Sequence, residues 1–187
     1  MKKTVFKKIY SVVFRRFLTL LLLCCLVIPS GNSRAEEHPL PSGAALIPDE
    51  RLGPRLVDKA ELLTKEEQEK LLSQLDEISE RQKCDVVIVT VPGIEGKTAT
   101  EYADDYFDYQ GYGYGEKSDG IILLVGMKER VWAISTHGSF GISAFTDAGL
   151  DYIKEDIRFQ LKIDNYSKAF RAFALLCDRF LTAAHEG

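Results

Sequence analysis

TATEYADDYFDYQGYGYGEKSDGIILLV, Thr98 to Val125, combines a helix bearing acids, a glycine-tyrosine loop, and an acidic loop feeding an apolar strand. Thr98 followed three residues later by Glu101 is the pattern in which hydroxyl and carboxylate satisfy each other's free amide donors at a helix start. Tyr102, Ala103, Tyr106 and Phe107 recur at helical spacing, so one face is buried and Asp104, Asp105 and Asp108 point elsewhere. Gly111, Gly113 and Gly115 end the helix, with Tyr112 and Tyr114 between them as bulk at a surface or cleft rim. Ile121 to Val125, opened by Gly120, is an uninterrupted apolar run, as expected of a strand covered on both faces. Asp119 then sits on a loop at the mouth of a central strand.

Upstream, Asp85 to Val91 (DVVIVTV) is rich in β-branched residues and stopped by Pro92-Gly93, the mark of another strand. Strand, helix and strand in succession predict a right-handed crossover between parallel strands. Met127 to Arg130 is long enough only for a hairpin, so Val131 to Ser135 should return antiparallel at the edge. Before the first strand, Thr64 and Glu67 repeat the capping pattern, and Leu71, Leu72, Leu75 and Ile78 form a helical stripe. Downstream, Leu150, Ile153 and Ile157 mark a helix starting near Asp147. A last helix carries Ala169, Phe170, Phe173, Ala174, Cys177, Phe180 and Leu181 on one face, closing the sheet's other side. The expected fold is α/β: a small mixed sheet flanked by helices, in the order α-β-α-β-β-α-α, over residues 55–184.

The first 35 residues stand apart. Lys2, Lys3, Lys7, Lys8, Arg15 and Arg16 precede an apolar block, Phe17 to Ile28, and Ser33-Arg34-Ala35 offers small residues for cleavage. This is the pattern of a secretory signal, the other reading being an uncleaved amino-terminal anchor; either way the chain is exported. Residues 36–54, with Pro39, Pro41, Pro48 and Pro54, form a tether. The first 35 residues hold seven of the 24 Lys and Arg and none of the 28 Asp and Glu, so the remainder has a net charge of about −11. Nucleic acid is a poor partner for such a surface, and cations are plausible ones. Cys84 and Cys177 could pair after export, but beside apolar positions they read as buried free thiols.

The chain resembles the TPM domain family, exported or lumenal α/β domains of which some members are described as acid phosphatases. The residues carrying the resemblance are Val57-Asp58-Lys59-Ala60, Tyr102 to Phe107 leading to Gly115, Ser118-Asp119-Gly120 with the strand behind it, and Phe145-Thr146-Asp147-Ala148. Together they span Leu56 to Leu181. Where the family usually has an Asp-Asn or Asn-Asp pair before the central strand, Ser118-Asp119 keeps one acid.

Asp119 and the loop after the edge strand, which carries His137, should lie on one side of the sheet. Asp147 can reach that side, and so can Asp58 if the family arrangement holds. Converging carboxylates without matching bases suit calcium or magnesium through oxygen ligands. The candidate metal ligands are therefore Asp58, Asp104, Asp105, Asp119 and Asp147, with Asp119 and Asp147 as candidate catalytic groups and His137 as a proton carrier. Plainer roles stand beside these: Asp147 and Asp58 as caps, Asp104 and Asp105 as a solvated helix face, Asp119 as a turn residue. Tyr109, Tyr112 and Tyr114 suit a surface for an exported or membrane protein, or else pack over the loop. Two functions follow: a cation-binding envelope module that binds or maintains another protein, or a metal-assisted phosphatase acting on small phosphate esters. Against the second, no nucleophile motif or arginine signature for phosphate is present.

Overall fold

The computed structural model describes residues 48 and 50–187. The expected signal at 1–35 and most of the tether lie outside the described residues. At the tether's end, the Leu52 amide donates to the Gln110 carbonyl (2.9 Å), so the chain enters the domain along the glycine-tyrosine loop.

The expected elements are present, with two additions. In chain order they are β1 (Leu56–Asp58), α1 (Lys65–Gln82), β2 (Asp85–Val91), α2 (Ala99–Tyr109), β3 (Gly120–Gly126), β4 (Val131–His137), α3 (Ser139–Ala144), α4 (Asp147–Lys162) and α5 (Tyr166–Glu186). The additions are β1 and α3. At three and six residues, each is too short for a period to stand out from noise.

The sheet order is β1-β2-β3-β4, with β1, β2 and β3 parallel and β4 antiparallel to β3. Pairing of Asp85 with Gly120, and of Gly120 with His137, brings the starts of β2 and β3 and the finish of β4 to one end. Asp58 pairs with Thr90, and Gly126 with Val131, at the opposite end.

Side chains alternate across the strands and build two cores. Val86, Ile88, Ile121, Leu123 and Ile134 pack with Leu75 of α1, Ile153 and Ile157 of α4, and Phe170 and Phe173 of α5. Val87, Val89, Ile122 and Leu124 face Tyr102, Ala103, Tyr106 and Phe107 of α2. Burial on both faces is why Val86 to Val89 of β2 and Ile121 to Val125 of β3 are unbroken apolar runs rather than alternating.

Both capping boxes form: Thr64 and Thr98 each accept from the amide three residues on, and Glu67 and Glu101 reach back to the cap amides. Cys84 and Cys177 are buried free thiols, and burial pushes the Cys84 thiol up to about 12. His185, near the end of α5, lies 3.0 Å from the Gln82 carbonyl, its ring tilted against Phe140 with centroids 4.6 Å apart.

Candidate functional site

At the end of the sheet where β2 and β3 begin, chain turns and ionisable groups meet. Asp119 is there as expected, next to the loop after β4. Its Oδ1 accepts from the amides of Phe140 (2.7 Å) and Gly141 (3.3 Å), clamping the first turn of α3. Gly138, at φ 71°, makes this approach possible, because a Cβ there would run into Asp119 and the Lys117 carbonyl.

His137, the last residue of β4, lies under α2. Its ring stacks on Phe107 with centroids 3.9 Å apart and planes within 8°. Nε2 faces Asp104 Oδ1 at 3.7 Å, and Nδ1 faces Asp108 Oδ1 at 3.8 Å. Both distances exceed hydrogen-bond reach, and the facing Nε2 and Asp104 Oδ1 are buried with no partner. Burial lowers the His137 pKa, and the two carboxylates only partly oppose it. Burial likewise lifts the Asp108 carboxyl above its ordinary range, with His137 opposing and Asp104 and Asp105 reinforcing the shift. The sequence places Asp104 and Asp108 four apart on one helix edge. That β4 would set its terminal histidine between them depended on register.

A second network at this end went unrecognised in the sequence. Arg55, almost wholly buried, donates to Asp85 (2.7 Å), Asp76 (2.8 Å) and Glu80 (2.8 Å). Asp85 Oδ2 accepts from the Gly113 amide at 2.9 Å, and the Tyr114 hydroxyl bonds Glu80 and Lys83. Burial alone would lower the Arg55 pKa, but the adjoining carboxylates more than offset it and hold the guanidinium charged. The network ties the glycine-tyrosine loop to β2. An aspartate opening a β-branched strand was the available signal.

The remaining candidates are dispersed. Asp58 is at the far end, five residues along β2 from Asp85, or about 17 Å. Its carboxylate is consumed by the amides of Leu62 and Leu63, the Thr90 hydroxyl and Gln68. Asp105 pairs with Lys97. Asp147 is exposed in the first turn of α4, where Thr146 rather than Asp147 caps the helix through the Gly149 amide. The expected convergence of Asp58, Asp119 and Asp147 therefore fails. Among the described residues, no three His, Cys, Asp or Glu side chains gather closely enough to hold one metal ion. Around His137 the obstacle is geometric: the carboxylates address opposite edges of one ring, so a single ion cannot use both ring nitrogens.

The tyrosines also divide. Tyr112 is 3% exposed, packs on Phe107 and Tyr106, and donates to the Pro54 carbonyl (2.6 Å), so it is core rather than partner surface. Tyr114 is half-buried in the Arg55 network, and Tyr109 is half-buried. Glycine's lack of side chain let the loop fold inward.

The TPM domain family matches residues 56–179, which takes in every element from β1 to most of α5. The chain belongs to the TPM domain family. This TPM domain has the fold of several solved structures. The N-terminal domain of a protein from P. gingivalis is 21% identical, with a TM-score of 0.61 over 72% of this chain and 86% of that one. BA42 protein from Bizionia argentinensis is 16% identical, with a TM-score of 0.58 over 66% of this chain and 84% of that one. The N-terminal domain of cg2496 protein from Corynebacterium glutamicum is 14% identical, with a TM-score of 0.53 over 75% and 88%. No curated protein matches.

Proposed function

We propose that this TPM domain is a non-catalytic, exported module that binds another exported or membrane protein. The observation that carries the reading is an apolar stripe along α4 and its cap: Tyr152 and Phe159 on the helix and Ile163 just past its end are 56%, 61% and 51% exposed and fall on one side. Single exposed apolar residues are ordinary, but an aligned set with two aromatics is what a partner face offers. The basic, apolar leader in the sequence supports export. Among the described residues no helix is long and apolar enough to cross a membrane.

The metal-assisted phosphatase has less support. Its ion would need carboxylates that stand at opposite ends of the sheet, and among the described residues no hydroxyl or thiol nucleophile is bonded to His137.

The test is site-specific photo-crosslinking in intact cells, with the reactive group at Phe159 and, as control, at exposed Glu116. A discrete heavier adduct from position 159, absent from position 116 and distinct in mass from a dimer, is expected. Equal labelling from both positions, or none, would sink the proposal.

A further inference from the structure

Beyond the carboxyl end of β3 a groove of about 290 Å³ opens between the β3–β4 hairpin and the end of α4. Its three charged lining residues, Arg130, Arg158 and Lys162, are all cationic. That sign runs against a chain with an excess of acids. The rest of the wall is largely apolar or aromatic and includes Met127, Trp132 and Tyr166. In open α/β sheets, ligands favour the region beyond the carboxyl ends of parallel strands. The groove occupies that position, and the acidic cluster lies at the other end.

Two of the cations have partners already. Arg130 meets Asp164 at 3.2 Å and Arg158 meets Glu155 at 3.6 Å, but all four side chains are more than half exposed. Such pairs exchange readily for a better-placed anion. Lys162 makes no ion pair among the described residues, and it stands where the helix carbonyls would otherwise present a negative end to an incoming anion.

We propose that this groove binds a small organic anion, its oxyanion held by Arg130, Arg158 and Lys162 and its apolar or aromatic body lying against Trp132, Met127 and Tyr166. A guanidinium fork matches a carboxylate or a phosphate ester equally, and the flat ring of Trp132 suits an aromatic or aliphatic body. The site does not depend on the α4 stripe. No bond to the ligand is made or broken, so this is recognition and not turnover.

Trp132 is the sole tryptophan of the chain, which makes it a built-in reporter. The full chain is titrated with phenylacetate and with phenyl phosphate while indole fluorescence is followed. Phenylethanol supplies the body without the charge, and acetate and inorganic phosphate supply the charge without the body. The expected result is a saturable change with at least one aromatic anion. It should weaken about tenfold in Arg158→Gln and in Lys162→Gln, the loss of one charge-assisted contact. Lys154→Gln, on the same helix but outside the groove, should bind as the wild type does, and all variants should melt alike. Binding by only one of the two anions assigns the oxyanion as carboxylate or phosphate. The proposal is overturned if neither anion gives a saturable change, if phenylethanol or the bare anions do as well, or if the groove variants bind unchanged.

Discussion

His137 shows how burial and charge compete at a single residue. Two carboxylates within 4 Å would ordinarily raise an imidazole pKa, yet a ring stacked on Phe107 and only 15% exposed loses more from desolvation than it gains. Its folded-state pKa therefore lies below the ordinary 6.5, and the unfolded chain takes up the proton first as the pH falls. The stability linked to this group is intact above that value and lost as the pH drops from it toward the folded pKa. Urea unfolding across this range should show a steeper acid-side loss for the wild type than for His137→Gln; equal slopes would mean that the ring is as protonatable folded as unfolded. In the same series Asp108→Asn, which removes an opposing charge, should move the ring's NMR titration midpoint lower still. Asp108 itself behaves in the opposite sense, since burial raises its pKa and ionising it costs stability as the pH rises through that range.

At the level of elements, the glycine-tyrosine loop owes its place to a buried charge network rather than to its own sequence. Asp85 holds Arg55 with one oxygen and the Gly113 amide with the other. Asp85→Ala would leave a buried guanidinium short of its best-placed partner and a loop amide without an acceptor. A loss of ~3 kcal/mol is expected, at the lower end for breaking a buried pair because Asp76 and Glu80 remain. Chemical denaturation gives the size, and hydrogen exchange at Gly113 should accelerate; an unchanged exchange rate would show that the loop is held by Tyr112 alone. The helices themselves were legible, because α1 and α2 each carry a threonine-glutamate capping box and a stripe at helical spacing. The loop was not. Tyr112 alternates with glycines and looks like a surface residue, and only packing against Phe107 and Tyr106 makes it core.

For the whole molecule, the decisive fact is that the sheet has two functional-looking ends and the aspartates are divided between them. Asp119 clamps α3 at one end, and Asp58 ties β1 to β2 and the start of α1 at the other. With about 20 Å along the sheet and no shared partner between them, Asp58→Asn and Asp119→Asn should each destabilise and should add within ~0.5 kcal/mol in the double variant. A larger interaction energy, or calcium protection that both substitutions abolish together, would mean that the two carboxylates share a site after all.

The order of the main elements, the parallel pair β2 and β3, the antiparallel β4 and the buried thiols were all determined by the sequence. Each follows from local periodicity, capping chemistry or loop length, which act over a few residues. The pairing of His137 with α2, the burial of Arg55 and Tyr112, the separation of Asp58 from Asp119 and the cationic groove beyond β3 were decided only by tertiary structure. Register and packing set them, by joining residues tens of positions apart, and a charged or aromatic side chain carries no local sign of which neighbour it will meet.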